Sequence, residues 1–255
     1  MSATRRRVRL DLAYDGTDFA GWQKQPGQRT VQGLLEGELT RISGGEAVAV
    51  RGAGRTDAGV HARCQVADCE VNGRMDDDQL AHALRSVLPA DLRPLRVRTV
   101  PDEFHSRRSA RHKTYRYTLD LSLAGDPFLG RYSLHHPREL DFEAVRRGLA
   151  MLPGKRDWSG FTAAACEVEN RVRTLDEASL DLSDRLSARI SFRADGFLTY
   201  MVRNFVGTLL EIGRERMQET RIAEILESRD RSLAGPTAAA RGLCLERVTY
   251  AAEDA

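Results

Sequence analysis

The amino-acid sequence predicts an α+β fold in two domains, each with antiparallel sheets flanked by helices. Stretches with strand periodicity and stretches with helix periodicity occur in both halves of the chain. Neighbouring strand-like stretches are spaced as in hairpins, which favours antiparallel pairing. The halves meet around residues 100–112, so we predict an N-terminal domain over residues 1–105 and a C-terminal domain over residues 106–255.

The first half begins with a predicted strand and continues with two predicted helices. Residues 7–15 alternate between apolar and polar side chains, as in a strand with one buried face. Residues 31–42 follow the helical period behind Thr30, a residue type that caps helix N-termini. A second helix is predicted over residues 77–88, because aspartates at its start suit the helix dipole and Pro89 follows its end.

The second half predicts elements of the same two kinds. Apolar side chains alternate along residues 115–121, which indicates a strand. Asp141 is a predicted N-cap for a helix that Pro153 and Gly154 end. The remaining periodicities predict, in chain order, strands near 178–182 and 186–193, helices over 199–217 and 220–228, and a last strand over 243–250.

Composition limits the class of protein. The 255 residues are 41% hydrophobic and 30% charged, which is typical of a soluble globular protein. No apolar stretch approaches the roughly 20 residues that span a bilayer, and the arginines near the N-terminus precede an alternating stretch instead of the apolar block of a signal peptide. The four cysteines form no C-x-x-C pair. We therefore expect a cytoplasmic protein with free thiols and no membrane partner.

The basic residues are almost all arginine. The formal net charge is only +2, but 36 of the 39 basic residues are arginine. Arginine offers bidentate hydrogen bonds to phosphate and stacks on bases. A G+C-rich genome explains such a composition equally well, so the total indicates little unless the arginines are clustered.

Residues 51–62 form the most informative stretch. Three glycines in eight positions allow a tight turn and the close approach of another molecule, and Arg55 and Asp57 lie between them. The stretch is not a dinucleotide-binding fingerprint, because Asp57 stands where that pattern needs glycine, and it lacks the G-K-[ST] of a P-loop. Taken alone, it also suits a glycine-rich turn closed by the Asp57 side chain.

The nine residues Gly54–Ala62 resemble, residue for residue, the signature of the tRNA pseudouridine synthase A family. Similar blocks follow the family order along most of the chain. Arg108 departs from the family pattern by replacing an aromatic residue, and Tyr200 departs from it by replacing histidine. The resembling blocks are residues 14–23, 30–36, 104–117, 157–162, 171–174, 201–207 and 234–243.

The resemblance implies the pseudouridine synthase fold, with the catalytic cleft between its two domains, and a role for each matching residue. Asp57 is the implied catalytic nucleophile, and Arg55 is implied to help hold the target nucleotide out of its stack. Arg203 is the implied partner that keeps the carboxylate ionised, since it lies at the edge of an apolar helical stripe. Tyr115 is the implied active-site tyrosine, whose ring lies against the target base. Leu243 is implied to supply an apolar surface behind the uracil.

Alternatives remain open for several of these residues. Arg203 also fits a solvated helix surface, and Tyr115 also fits a strand core. Five cations within ten positions suit phosphate contacts, notably from Arg107 and Arg111, but equally a solvated charged strand. The members of this run are Arg107, Arg108, Arg111, Lys113 and Arg116. The histidines and cysteines lack the spacing of a zinc module, so we expect no metal.

The sequence therefore predicts an isomerase that converts uridine to pseudouridine in the tRNA anticodon arm, at positions 38 to 40, without a cofactor. The resemblance further implies a homodimer that binds tRNA across both subunits. One rival is a catalytically silent RNA-binding protein on the same scaffold, which would need no carboxylate at the sugar. Another is a carboxylate-dependent glycosidase, which usually needs a second acid, and no paired acidic motif stands out.

Overall fold

The computed structural model describes residues 4–251, so residues 1–3 and 252–255 of the predicted domains lie outside the described part of the chain. The chain divides into two units. The N-terminal unit contains the residues up to Arg111 together with those from Leu245 onward, and the C-terminal unit contains His112–Cys244. This division differs from the predicted boundary at 105/106, because the segment up to Arg111 and the part of the last strand from Leu245 onward both belong with the N-terminal unit.

The helices and strands follow the order expected of an α+β protein. The chain up to Arg111 forms β1 (Thr4–Tyr14), α1 (Val31–Ile42), β2 (Val50–Gly52), β3 (His61–Gly73), α2 (Asp77–Val87) and β4 (Leu92–Thr99). It continues with β5 (His112–Asp120), β6 (Leu134–His135), α3 (Phe142–Ala150), β7 (Gly154–Asp157), β8 (Val172–Asp181), β9 (Ser187–Ala194), α4 (Met201–Gly213), α5 (Arg221–Ser228) and β10 (Leu243–Thr249).

The N-terminal unit is built on an antiparallel sheet with β1 near its middle. Strands β3 and β4 pair with the two edges of β1, β2 pairs with β3, and β10 lies on the other side of β3. Val8, Leu10 and Leu12 alternate along β1 and are fully buried, as the periodicity predicted. Helix α1 packs on β2 and α2 on β4. Thr30 caps α1, as predicted from the sequence.

Two strands of this unit escaped the sequence prediction. Residues 65–69 of β3 are all buried, so this strand has no polar face and no alternation to detect. Strand β4 contains Pro94, which lies beside a register shift opposite Leu12 of β1. A proline is tolerated in a sheet at such an irregularity, but it weakens the strand signal in the sequence.

The C-terminal unit has its own antiparallel strands and an aromatic core. Strands β5, β9, β8 and β7 are neighbours in that order, and β6 pairs in parallel with the end of β5. Phe205 of α4 lies at the centre of the core, with its ring 4.9 Å from Phe161, 5.1 Å from Trp158 and 5.4 Å from Phe192. These edge-on and tilted contacts fix α4 against the sheet.

Helix α4 is shorter than the predicted 199–217. It begins at Met201 after Tyr200, whose φ of 61° is left-handed, and it ends at Gly213. Glu215 has a φ of 59°, so the chain turns there and the helix does not continue. The α+β class itself is confirmed.

His136 is a buried imidazole in the C-terminal unit. Its Nε2 lies 3.0 Å from Nε of Arg214, and its Nδ1 lies 3.1 Å from the carbonyl oxygen of Arg138. Because the guanidinium can only donate, Nε2 is unprotonated and Nδ1 donates to the carbonyl. Burial, and then the charge of Arg214, lower the pKa of His136.

Acidification should therefore destabilise the protein through His136. Folding lowers the pKa of this histidine from its value in the unfolded chain, which is about 6.5. Above that pH the group does not reduce the free energy of unfolding. As the pH falls below it, the unfolded chain binds the proton more readily than the folded one, so the free energy of unfolding decreases. We expect this group to lower the free energy of unfolding by up to about 1.4 kcal/mol per pH unit below that value. Urea unfolding between pH 7 and pH 5 should show a weaker pH dependence in His136→Gln. The exposed His82→Gln is the control, and equal slopes for His136→Gln and wild type would contradict the assignment.

Candidate active site

The glycine loop, residues 53–60, connects the antiparallel neighbours β2 and β3. Its middle is tied to the chain that follows β1. The backbone N–H of Trp22 donates to the carbonyl oxygen of Thr56 at 3.0 Å, and the N–H of Gly59 donates to the carbonyl oxygen of Phe19 at 3.2 Å. The loop is thus held by backbone hydrogen bonds on both sides of Asp57.

Buried side chains support the same loop from within. The hydroxyls of Tyr14 and Thr56 are hydrogen-bonded at 2.8 Å. The Nε2 of Gln65, which is fully buried, donates to the carbonyl oxygen of Gly54 at 3.0 Å and to the Tyr14 hydroxyl at 3.3 Å. Thr56 immediately precedes Asp57, so this network fixes the backbone from which the carboxylate projects.

Two glycines are required where the chain turns after Asp57. The N–H of Val60 donates to the carbonyl oxygen of Asp57 at 3.1 Å, and Gly59 inside this turn has a φ of 76°. That conformation is costly for residues with a Cβ. A Cβ on Gly16 would lie 2.0 Å from the carbonyl oxygen of Val60. The segment after β1 can therefore approach this turn only because residue 16 is glycine.

Burial differs from residue to residue along the loop. Thr56 and Val60 are buried, whereas Asp57 is half-buried and Arg55 is exposed. The loop therefore presents a carboxylate, partly shielded from water, on a backbone that is held from several directions. This is the arrangement that a nucleophilic carboxylate requires.

Arg203 lies in the first turn of α4 and is half-buried, as the helical stripe predicted. Its Nε donates to the carbonyl oxygen of Ala238 at 2.7 Å, and its own carbonyl oxygen accepts from the N–H of Ala238 at 3.1 Å. The guanidinium carbon lies 4.6 Å from the ring centroid of Tyr200, a cation–π contact. Arg203 is therefore oriented within its unit and is not a freely moving surface side chain.

Close packing brings two of the family-like blocks together in the C-terminal unit. A Cβ on Gly207 of α4 would lie 1.6 Å from the carbonyl oxygen of Pro236, and a Cβ on Gly235 would lie 2.7 Å from the backbone of Gly207. Only glycine permits this approach. It places the segment 234–238 beside the turn of α4 that carries Arg203.

Tyr115 and Leu243 are both buried in the C-terminal unit. Tyr115 lies on β5 opposite Phe192, and its ring meets Phe197 edge-on at 5.1 Å. Leu243 begins β10 and is 5% exposed. Its neighbour in the fold, Tyr117, donates its hydroxyl to the carbonyl oxygen of Ala239 at 2.8 Å, and burial raises the pKa of Tyr117.

Arg107 and Arg111 are exposed in a turn that precedes β5, not in a charged strand. His105 organises this turn, because its Nδ1 lies 3.2 Å and 3.4 Å from the backbone N–H groups of Arg107 and Arg108 and accepts from both. Burial, and then the charges of Arg51 and Arg108, lower the pKa of His105, which favours the neutral acceptor form.

The predicted site residues thus fall into three groups. Asp57 and Arg55 share the glycine loop, whereas Arg107 and Arg111 share the turn before β5; both groups belong to the N-terminal unit. Tyr115, Arg203 and Leu243 belong to the C-terminal unit. Among residues 4–251, no three histidine, cysteine, aspartate or glutamate side chains are grouped as metal ligands. Within the same range, no helix has the length and hydropathy needed to cross a bilayer.

Comparison with known proteins gives the family. A family model described as tRNA pseudouridine synthase matches residues 12–107 and 149–251. Proteins named tRNA pseudouridine synthase A are 44% identical in Streptococcus mutans and 42% identical in Streptococcus pneumoniae, over 96% of this chain and 98% of each relative. A protein of the same name from Lactococcus lactis subsp. lactis is 42% identical, over 96% of this chain and 97% of that relative's length. The chain belongs to the tRNA pseudouridine synthase family.

The family match covers most of the candidate site. Asp57, Arg55 and Arg107 lie in its first segment, and Arg203 and Leu243 lie in its second. Tyr115 and Arg111 fall in the stretch between the two segments. In this tRNA pseudouridine synthase family member, the matched segments therefore include the glycine loop, Arg107, α4 and the start of β10.

Sequence reasoning missed the residues that hold the glycine loop. Tyr14 and Gln65 are 51 residues apart, and each reads as an ordinary strand residue in the sequence. The one available signal was polarity, since Gln65 occupies a stretch of β3 that is otherwise mostly apolar and is itself fully buried.

Proposed function

We propose that this chain converts uridine to pseudouridine in the anticodon stem-loop of tRNA, at positions 38 to 40, with Asp57 as nucleophile. The observation that carries the proposal is the signature Gly54–Ala62 in a member of the tRNA pseudouridine synthase family, on a loop whose backbone is held on both sides of Asp57. The reaction breaks the N1–C1′ bond, turns the uracil and rejoins it through C5. It is an isomerisation, so no redox cofactor or nucleotide is consumed.

Asp57 supplies the carboxylate that such a reaction needs at the sugar. Either attack on C1′ or removal of a C2′ proton frees the uracil for rotation, and both routes require the ionised form. A carboxylate that loses water on binding RNA is harder to ionise, and a nearby cation opposes this effect. Arg203 supplies that cation in our proposal, and its hydrogen bond to Ala238 and its stacking on Tyr200 support a fixed orientation.

The remaining site residues handle the nucleotide. Arg55 is exposed two positions before Asp57, and we assign it to holding the target nucleotide out of its stack, as base-directed enzymes require. Tyr115 lies against the uracil, and Leu243 supplies an apolar surface behind it. The rigid packing of Tyr115 on Phe197 supports such a contact, since an immobile ring loses little entropy on binding.

Arg107 and Arg111 bind tRNA phosphates in this proposal. Replacing Arg107, Arg108 and Arg111 together with glutamine should weaken tRNA binding and flatten its salt dependence. Each lost phosphate contact should lower the slope of log affinity against log salt by about 0.7 to 0.9. The rate on saturating tRNA should change much less, because these residues position the RNA. Arg108 departs from the family pattern, and we expect it to contribute least.

A matched control separates clustering from net charge. Arg146, Arg147 and Arg221 lie on helices of the C-terminal unit, the first two exposed and the third half-buried, and glutamine at all three removes the same total charge. Affinity measured at several salt concentrations should then show the slope of wild type. If the Arg107, Arg108 and Arg111 variant also keeps the wild-type slope, the turn faces solvent and the RNA path lies elsewhere.

We further propose a cytoplasmic homodimer. The segment after β5 exposes apolar side chains, with Leu123 and Phe128 at 88% and 87% exposure and Leu129 and Tyr132 partly exposed. A soluble protein seldom leaves such a run uncovered, which supports a second copy of the chain as its partner. A cytoplasmic location follows from the proposed tRNA substrate.

Incubation with tRNA distinguishes this function from its rivals. The proposed isomerase converts uridine without a change in mass or loss of base. A silent RNA-binding protein leaves the nucleosides unchanged, and a glycosidase releases free uracil. Nucleoside analysis after digestion, together with an assay for free uracil, therefore tests the proposal against both.

A further inference from the structure

Asp68 is a fully buried carboxylate in the middle of β3, outside the signature motif. Its Oδ2 accepts from Nη1 of Arg7 at 3.0 Å, and from Nε of Arg51 at 3.1 Å as well as from that side chain's Nη2. Its Oδ1 accepts from the backbone N–H of Ser106 at 2.9 Å. One buried side chain thus holds groups from β1, β2 and the turn before β5.

Ser106 makes two further hydrogen bonds in the same region. The hydroxyl of Ser106 donates to the carbonyl oxygen of Arg51 at 2.9 Å, so Ser106 binds both Asp68 and the backbone of β2. The hydroxyl of Tyr250 donates to the carbonyl oxygen of Ser106 at 2.7 Å. Ser106 is fully buried, which leaves it little freedom to move once these bonds are made.

Two of the three partners of Asp68 adjoin proposed functional segments in the sequence. Arg51 lies in β2, two residues before the glycine loop, and Ser106 directly precedes Arg107. The turn that carries Arg107 is ordered internally by His105 and is attached to the sheet at both ends. Ser106 binds Asp68 and β2, and the N–H of Arg111 donates to the carbonyl oxygen of Thr249 in β10 at 2.8 Å. Hydrogen bonds to a charged acceptor are the strongest and most directional kind, so the bond to Asp68 is the strongest attachment at the Ser106 end.

We propose that Asp68 is a positioning residue for RNA binding, which fixes the turn bearing Arg107 and Arg111 to the strand that leads into the glycine loop. This inference rests on the proposed function, in that these arginines bind phosphate. Asp68 itself touches no RNA, and its effect on binding passes through the arginines. Removing its charge takes from Arg51 the carboxylate that orders its guanidinium and leaves Arg7 with Glu70 as its remaining carboxylate partner. The turn then loses its registration with the sheet.

The same unit offers a matched control at Asp77. Its carboxylate accepts from the Arg6 side chain, from the backbone N–H of Thr99 at 2.7 Å and from the Thr99 hydroxyl at 2.8 Å. Asp77 thus shares with Asp68 a guanidinium and a backbone N–H as partners, is half-buried instead of fully buried, and has no link to the turn before β5. Asp77→Asn therefore reports what the loss of such an ion pair does to the protein in general.

The test compares Asp68→Asn, Ser106→Ala and Asp77→Asn in the full chain. Hydrogen exchange of residues 104–111 should become faster in the first two variants and stay unchanged in the third. Asp68→Asn should raise the KM for tRNA by about tenfold, the factor expected for one lost phosphate contact, and leave kcat within about threefold. Ser106→Ala removes the bond to Arg51 and keeps the backbone bond to Asp68, so it should act in the same direction by less. If Asp68→Asn folds poorly, unchanged exchange and unchanged KM in Ser106→Ala would still contradict an attachment through Ser106.

Combining variants decides whether Asp68 acts through the arginines. In a chain that already carries glutamine at 107, 108 and 111, Asp68→Asn should cause no further loss of tRNA affinity, because residues acting through one contact are not additive. Additive losses, or unchanged exchange of residues 104–111, overturn the positioning role. A triple-glutamine variant that binds like wild type instead contradicts the proposed phosphate contacts, and the exchange measurement then stands as the separate test of the anchor.

Discussion

Replacing Asp57 with asparagine should lower pseudouridine formation at least about 1,000-fold, equivalent to roughly 4 kcal/mol of activation free energy. The change removes the charge and the nucleophilicity but almost no volume. The glycine loop is held by its backbone, Thr56 and Gln65, so the fold and tRNA binding should remain. Single-turnover conversion of tRNA, measured beside equilibrium binding, checks both expectations.

The control for this variant is Asp102→Asn, which removes one exposed carboxylate from the same unit. It should convert tRNA at the wild-type rate. Asp57→Asn turnover above roughly a thousandth of wild type would contradict the assignment of Asp57 as nucleophile, because the loss of a covalent catalyst ordinarily costs several kcal/mol.

Arg203→Met should be the second most damaging change, with a loss of about 100-fold or more in kcat, as for other groups that stabilise charge in a site. Methionine keeps an unbranched apolar stem on α4 and removes the cation that favours the ionised carboxylate. The free energy of unfolding should fall by only about 1 kcal/mol, the value of the lost hydrogen bond to Ala238.

Arg203→Lys tests the same residue with the charge retained. It should recover part of the activity, since the positive charge remains while the bond from Nε and the planar stacking on Tyr200 are lost. Rates from pH 5 to pH 8, with urea unfolding of each variant, separate catalysis from stability. If Arg203→Met is as active as wild type at neutral pH, Arg203 is only a helix-surface charge.

The elements that the sequence predicted best carry their signals locally. Thr30, Asp76 and Asp141 each accept a hydrogen bond from a backbone N–H in the first turn of the helix they precede, and each stands beside a clear apolar period. The start of β10 at Leu243 was found from the sequence for the same reason. The return of the strand to the N-terminal unit from Leu245 onward was not predicted, because no local pattern shows that a last strand pairs with the beginning of the chain.

In the candidate site, too, residues with local sequence signals were predicted and residues that act through distant contacts were not. The signature located Asp57 because nine adjacent residues carry it, and the helical period placed Arg203 at a half-buried edge. The residues that hold these positions come from distant parts of the chain. Asp68 is 38 residues from Ser106, and such a pairing becomes visible only when the strands are in register.

We propose that Asp57 makes pseudouridine at positions 38 to 40 of tRNA. Nucleotide-resolution mapping of pseudouridine tests it most directly, in tRNA from cells that carry wild type, the Asp57→Asn variant or no copy of this protein. We predict pseudouridine at one or more of these positions with wild type, and unmodified uridine at the same positions with the variant and with no copy. Pseudouridine that persists there in cells with only Asp57→Asn, and disappears when the protein is absent, would contradict the account.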